Sequence, residues 1–202
     1  YIYFKFKSLY YLIMQASTIF LVMVIVIIIS VNYYVKNRDV VTIKSNIDGR
    51  MYRIADTPDK QQVADLLAKV NQGALKLVEE LKNNGNEDSQ RVVRYYNPDR
   101  LGENLEYKSY KAYSLNKGQE IVLCVRNKDN SVITDMNTIM FVLIHELGHL
   151  MTREDGHPPI FWKNMEYLLK KGDEAGVYKP VNYFKEPVDY CGTLIDKTPY
   201  QF

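Results

Sequence analysis

An uncharged apolar segment near the start of the chain constrains its structure more than any other feature. No charged residue lies between Lys7 and Lys36, and residues 11–35 are almost wholly apolar. At ~1.5 Å rise per residue, a helix of this length crosses the ~30 Å hydrocarbon core of a bilayer. A buried helix rarely has this length without a polar face, and a secretory signal has a shorter apolar core. The segment therefore predicts a single N-terminal transmembrane helix that contacts the lipid bilayer through residues 11–35.

This segment divides the chain into two parts of different composition. We predict a membrane anchor with short flanks over residues 1–36 and one soluble domain over residues 37–202. Two lysines precede the span, whereas Lys36, Arg38 and Lys44 follow it. Basic residues favour the cytoplasmic side of a membrane, so we expect the soluble domain there. The inner membrane of a virion is a further location that fits this arrangement.

The charge and cysteine content limit the functional classes. The chain has 26 basic and 24 acidic residues, a net charge of +2, and no concentrated basic face. A dedicated nucleic-acid binder needs such a face to neutralise phosphates, so this class is disfavoured.

The two cysteines, Cys124 and Cys191, are too few for a disulfide framework. We predict free thiols in a reducing compartment, with a single bridge as the alternative.

Hydrophobic periodicity in the soluble domain predicts an α+β fold. The predicted elements, in chain order, are strands at 40–43 and 51–54, a helix from Thr57-Pro58 to Asn84, a short helix at 89–96, strands at 107–115 and 119–126 that form a hairpin, a helix at about 137–151 capped by Asp135 or Asn137, and a helix from Pro158-Pro159 to Gly172. We expect residues 173–202 to be irregular. The helix at 137–151 is apolar nearly all round, which predicts a buried central position.

This central helix carries a motif with metal chemistry, His145-Glu146-Leu-Gly-His149, which has the H-E-x-x-H spacing. Histidines at i and i+4 lie on one helix face, so both imidazoles can reach one zinc ion. Glu146 lies beside the first ligand, where it can act as the general base on a zinc-bound water. Two imidazoles and a carboxylate buried without a metal would carry a large desolvation cost, which disfavours a purely structural interpretation.

A catalytic zinc site needs a third protein ligand, and His157 is the best candidate. It follows a turn at Gly156 that lets the chain double back, and all three histidines of the chain fall between 145 and 157. Glu154 and Asp155 remain rival third ligands. We therefore predict one zinc ion per chain held by His145, His149 and His157.

Further residues near the motif are weaker candidates. Gly148 lowers helix propensity by about 1 kcal/mol relative to Ala, which close packing beneath the metal would explain, with a merely tolerated glycine as the alternative. Tyr178, Tyr183 and Tyr190 are candidates for a hydroxyl that stabilises a tetrahedral oxyanion, with ordinary packing as the default. Cys191 is a candidate to approach the metal, although a buried free thiol is the simpler interpretation.

The segment His145-Glu-Leu-Gly-His149, followed by Gly156-His157-Pro-Pro-Ile-Phe-Trp162, resembles the SprT-like and WLM group of zincin metallopeptidases. The resemblance implies a zincin-like fold, a small mixed sheet plus helices with the active-site helix carrying the motif. It implies the same three zinc ligands and Glu146 as general acid/base. It also implies that the strand at 119–126 lines the cleft and pairs with an extended peptide. Thr152 occupies a position where metzincins need Gly, so that branch is disfavoured.

Residues 48–191 are similar to WLM-type metallopeptidases of large DNA viruses. The similar parts are Pro58-Asp-Lys-Gln61, Asn116-Lys-Gly118, Ile121-Val-Leu-Cys124 and Asp189-Tyr-Cys-Gly192. The predicted function is that of a membrane-anchored zinc metallopeptidase that hydrolyses peptide bonds in a protein or peptide substrate. The alternative is a structural virion or membrane-scaffold protein that contacts neighbouring proteins of an assembly and keeps a zincin fold with zinc in a mainly stabilising role.

Overall fold

The computed structural model describes residues 2–37, 39–105, 112–115, 120–127 and 129–202. The chain divides into two compact units, Tyr1–Val40 and Val41–Phe202. The first contains helix α1, Ile2–Asn37. Within the described residues, α1 is the one helix long and apolar enough to cross a membrane, through Met14–Tyr33. A signal sequence near the N-terminus can pass the same test of length and composition.

The second unit has mixed α and β structure, which confirms the α+β prediction. Its helices are α2 (Lys60–Asn84), α3 (Gln90–Tyr95), α4 (Met136–Met151) and α5 (Pro159–Glu174). Its strands are β1 (Val40–Lys44), β2 (Met51–Ala55), β3 (Leu101–Glu103), β4 (Ala112–Leu115), β5 (Glu120–Leu123), β6 (Val188–Tyr190) and β7 (Thr193–Ile195), where β1 begins at the boundary between the two units. The turn predicted between β4 and β5 lies outside the described residues.

Helix α4 occupies the centre of this unit, as its apolar sequence predicts. Eleven of its residues are buried, from Thr138 to Met151, and it packs against α2, α3, α5 and the strands β4 and β5. The Asp135 carboxylate caps its start by accepting the N–H groups of Asn137 (3.0 Å) and Thr138 (3.3 Å). Side chains carried by α4 are therefore held on the best-packed element of the fold.

The strands β3, β5 and β4 form a three-stranded sheet in that order. Strand β5 pairs in parallel with β3 and antiparallel with β4, so both of its edges are occupied. The expectation that the strand at 119–126 pairs with a peptide is therefore wrong for β5. On the side of β5 opposite to β3, β4 forms the outer edge of the sheet within the described residues. The sequence missed β3 because three residues, Leu101 to Glu103, are too few for a periodic pattern.

Two predicted boundaries differ from the structure. Helix α2 begins at Lys60, after Asp59, because the Thr57 hydroxyl donates to the Asp59 carboxylate (2.7 Å) and caps no helical N–H group. The stretch after α5 is less irregular than expected, since β6 and β7 form a hairpin. Its turn is closed by the Gly192 N–H, which donates to the Asp189 side chain (2.8 Å).

The two cysteines form a disulfide, so the prediction of free thiols is wrong. Cys124 directly follows β5 and Cys191 lies in the β6–β7 turn, with their Cα atoms 6.4 Å apart. Both residues are buried. The Tyr190 hydroxyl donates to the Cys124 carbonyl at 2.6 Å. The hairpin is therefore attached to the end of the central strand by a covalent bond and a hydrogen bond.

A buried arginine joins three parts of the second unit. The Arg126 side chain is 2% exposed and donates to Glu103 (2.8 Å), Asp59 (2.7 Å) and Thr57 (2.7 Å). Glu103 also accepts the Ala55 N–H at 2.7 Å. The network links β3, the segment after β5 and the start of α2. The Arg126 guanidinium holds the pKa of Asp59 at about 2.

The Asp59 pKa predicts an acid-dependent contribution to stability. Because this pKa lies below the ordinary 3.8, the stabilisation is present above about pH 4 and is lost as the pH falls through about 2. We expect Asp59→Asn to lower the free energy of unfolding by about 1 kcal/mol at pH 6, since the side chain is partly exposed. Urea unfolding at stepwise lower pH should show this difference shrink toward zero near pH 2. The control Asp56→Asn, which removes an exposed pair with Lys60, should show no such trend; a difference for Asp59 that does not depend on pH would contradict the expectation.

Candidate metal centre

The three histidines of the chain converge at one end of α4. His145 and His149 lie one turn apart on this helix, and His157 lies in the loop before α5. One ring nitrogen from each lies within 4.8 Å of the others. The Nε2 atoms of His145 and His157 are 3.0 Å apart. The rings therefore point their nitrogens into one small volume.

This arrangement fits a zinc ion. Two nitrogens bound to zinc at ~2.0–2.1 Å in tetrahedral geometry are about 3.4 Å apart. This is close to the 3.0 Å between the Nε2 atoms of His145 and His157. Burial lowers the pKa of His145 to about 3, with His149 and His157 adding to the effect, and burial also lowers the pKa of His157. Both imidazoles are therefore neutral at pH 7, which is the form that binds a metal.

The loop between α4 and α5 brings His157 back to the helix, as the turn at Gly156 predicts. Gly156 has φ +74°, a conformation that favours glycine. The buried Asn164 amide of α5 donates to the Thr152 hydroxyl at the end of α4 (2.9 Å), so the two ends of the loop are tied together. Within the described residues, the group that could hold a metal ion consists of the three histidines. The rival third ligands Glu154 and Asp155 do not belong to it.

Glu146 lies next to the first histidine in a buried position. It is 4% exposed, and burial raises its pKa to about 8. The backbone N–H of Ser114 in β4 donates to its carboxylate and opposes this shift. The general-base role of Glu146 stays a prediction. Its contact with Ser114 could not be predicted, because a backbone group carries no sequence signal.

The aromatic residues Phe161 and Trp162 form the side of the site contributed by α5. The Phe161 ring is buried and lies 4.6–4.9 Å from the rings of all three histidines. The Trp162 ring stacks on His157 at 5.5 Å and is 44% exposed. The sequence feature that could have indicated these two residues is their position in the first turn of the helix that begins after Pro158. Phe161 therefore packs beneath the histidines, and Trp162 borders them.

Comparison with known proteins agrees with this geometry. A model of the WLM domain matches residues 103–188, which contain the three histidines and Glu146. An uncharacterized protein of Acanthamoeba polyphaga mimivirus is 30% identical over 161 residues, covering 77% of this chain and 82% of the relative. The chain belongs to the WLM-domain family. This domain is of the zincin-like metallopeptidase type, and the resemblance inferred from the sequence is confirmed.

Two further relatives of this WLM protein come from other large DNA viruses. An uncharacterized protein of Invertebrate iridescent virus 3 is 37% identical over 81 residues, or 40% of this chain and 49% of the relative. An uncharacterized protein of Invertebrate iridescent virus 6 is 31% identical over 83 residues, or 40% of this chain and 45% of the relative. No solved structure matches the chain.

The other candidate residues of the WLM protein take different positions. Tyr178 and Tyr183 are buried against Phe141, one turn before His145. Tyr190 is buried too, and its hydroxyl already donates to the Cys124 carbonyl. Burial raises the pKa of Tyr190, and the nearby Glu146 carboxylate adds to this effect. Cys191 offers no thiolate to a metal because its sulfur is bonded to Cys124.

Gly148 packs closely beneath the site, as the sequence predicts. A Cβ atom placed there would lie 3.0 Å from Phe161 Cε2. Because Phe161 supports the three imidazoles, we expect Gly148→Ala to shift the ring and weaken zinc affinity about tenfold. Competition against a chelator would measure this. The control Gly73→Ala crowds only the flexible Met140 side chain and should leave zinc affinity unchanged; equal affinity in the Gly148 variant and the native chain would contradict the expectation.

Proposed function

We propose that this WLM protein is a membrane-anchored zinc-dependent metallopeptidase. The observation that carries the proposal is the convergence of three imidazoles beside a buried carboxylate on one helix. Neutral imidazoles are suitable ligands for zinc, and three of them leave one coordination position open. A structural zinc site is normally closed by a fourth protein ligand. Within the described residues, the set of three without a thiolate favours catalysis over a purely stabilising role.

The proposed fold is zincin-like, with α4 as the active-site helix beneath the sheet of β3, β5 and β4. Two observations support it. The motif His145-Glu-Leu-Gly-His149 lies in the last turns of a buried helix. The antiparallel strand β4 contacts the motif through Ser114. We propose that β4, rather than β5, pairs with an extended peptide, because its outer edge faces no other strand in the described residues.

In the proposed reaction, Glu146 moves protons while the histidines hold the metal. Bound zinc supplies a Lewis acid that polarises a carbonyl and lowers the pKa of water to about 7. Beside a dipositive ion held by the three histidines, the raised pKa of Glu146 would fall, so its carboxylate would be ionised at neutral pH. Glu146 then accepts a proton from the attacking water and later donates it to the leaving amine.

We further propose where the enzyme acts. In this proposal the apolar residues Met14–Tyr33 anchor it in a bilayer, and the basic residues after the span favour the cytoplasmic side of a cell or virion membrane for the domain. Its substrates are then proteins that come close to this membrane. Support for a viral setting comes from relatives in mimivirus and iridescent viruses.

The test combines zinc content with proteolysis of the full chain in detergent. We expect about one zinc per chain, and casein cleavage that stops with a chelator and returns with zinc. His157→Ala should lose both zinc and cleavage, whereas Asp155→Ala, a change in the same loop, should keep both. Zinc retained in His157→Ala and lost in Asp155→Ala would overturn the ligand set. Stoichiometric zinc without cleavage of any protein substrate would favour the scaffold role.

A further inference from the structure

Trp162 borders the metal centre but has no role in the proposed reaction. Its ring stacks on His157 at 5.5 Å with an angle of 27° between the planes, and it lies 6.3 Å from the His145 ring. One edge contacts Phe161 at 5.1 Å. The side chain is nevertheless 44% exposed. Its open surface therefore lies away from His157 and Phe161, on a ring that borders the metal centre.

A large aromatic surface at this distance is within reach of a bound substrate. When a peptide carbonyl sits at the metal, the side chains on either side of the scissile bond extend about 5–6 Å from the backbone, which spans the distance from the histidines to the indole ring. Covering exposed aromatic surface is favourable because it removes apolar area from water. Trp162 thus offers substrate a contact that the buried Phe161 cannot offer.

The charge near Trp162 determines which substrate side chain binds best against its indole ring. An indole face attracts cations as well as apolar groups. Here, however, the ring stacks on a proposed zinc ligand, and the dipositive ion behind His157 repels a second cation. An apolar side chain has no such penalty. The surroundings therefore favour a large apolar residue over lysine or arginine.

We propose that Trp162 forms the wall of a substrate subsite beside the metal and selects a large apolar side chain next to the scissile bond. This inference rests on the proposed function, since it assumes that peptides bind at the zinc ion. It differs from a positioning role, in which Trp162 would only hold the His157 ring. A positioning residue would change zinc affinity and the binding of all peptides equally, whereas a subsite wall changes the ratio between peptides.

The experiment uses the zinc-loaded full chain in detergent and two acetylated dipeptide hydroxamates, which bind zinc without being cleaved. They differ only in carrying Phe or Ala beside the hydroxamate. We expect the Phe compound to bind at least about tenfold tighter by calorimetry. Trp162 is the single tryptophan of the chain, so its emission should shift to shorter wavelength when the Phe compound covers it.

Substitutions at Trp162 and at its neighbour Lys163 test whether Trp162 is the subsite wall. Trp162→Ala should bind both compounds with affinities within about twofold and keep its zinc, whereas Trp162→Phe and the exposed neighbour variant Lys163→Ala should keep the preference. An unchanged preference in Trp162→Ala, or no emission change with the Phe compound, would overturn the subsite. Failure of both hydroxamates to bind the zinc-loaded native chain would instead overturn the proposed function, and this inference with it.

Discussion

Replacing Glu146 with glutamine is expected to reduce peptide cleavage about a thousandfold or more without loss of zinc. Glutamine has nearly the same shape, and its amide oxygen can still accept the Ser114 N–H. It cannot accept a proton from water, so the step assigned to Glu146 is lost. The metal remains because His145, His149 and His157 are unchanged. Zinc content and cleavage rate measured on the same preparation would test this expectation.

The matched control is Glu154→Gln, which removes an exposed carboxylate from the loop before His157. We expect its cleavage rate to stay within about twofold of the native rate, since Glu154 has no part in the proposed proton transfer. Native activity in Glu146→Gln with zinc bound would show that another group accepts the proton. Loss of zinc together with activity would indicate that Glu146 maintains the site rather than acting in the reaction.

Replacing Arg126 with methionine is expected to lower the free energy of unfolding by about 3–5 kcal/mol. Methionine fills much of the volume but leaves the Glu103 carboxylate buried without its charged partner. The Ala55 N–H still donates to this carboxylate, but hydrogen bonds do not fully compensate a buried charge that has lost its cationic partner. Urea unfolding at pH 7 would measure the loss. The pKa of Asp59 should return toward its ordinary value in the same variant.

A second substitution distinguishes the buried charge from simple loss of packing. In Arg126→Met with Glu103→Gln, the fully buried carboxylate charge is removed as well, so we expect at least about 1 kcal/mol of stability to return. Lys60→Met, which removes the exposed pair with Asp56, should cost less than about 0.5 kcal/mol. A double variant no more stable than Arg126→Met alone would show that the loss comes from packing around the guanidinium.

The sequence predicted the features that have a local pattern. Helices α2 and α5 follow from apolar positions at helical spacing, and α4 from a capped, nearly continuous apolar run. The hairpin of β4 and β5 follows from two β-type runs around a glycine turn. The three histidines could be placed together because two are one helical turn apart and the third follows a short loop. Gly148 could be interpreted because a glycine inside a buried helix needs a packing reason.

Features that depend on distant contacts were not predictable in this way. Strand β3 is recognisable only from its pairing with β5, about twenty residues away in the chain. The cysteines gave no indication of pairing, since 67 residues separate them. The edge position of β4 depends on where β3 pairs, so the resemblance assigned peptide pairing to β5, whose two edges are both occupied. Arg126 could not be assigned to a buried network because its partners come from two other segments.

The Cys124–Cys191 disulfide has a consequence for any cut in the chain near the metal centre. The exposed residues 153–157 lie inside the loop that this bond closes. A peptidase that cuts there, which under the proposed function includes another copy of this chain, adds one water and yields two fragments that remain one molecule. Such a nicked protein migrates as a single band without reducing agent and separates into two bands with it. Self-digestion would therefore be visible only on the reduced gel.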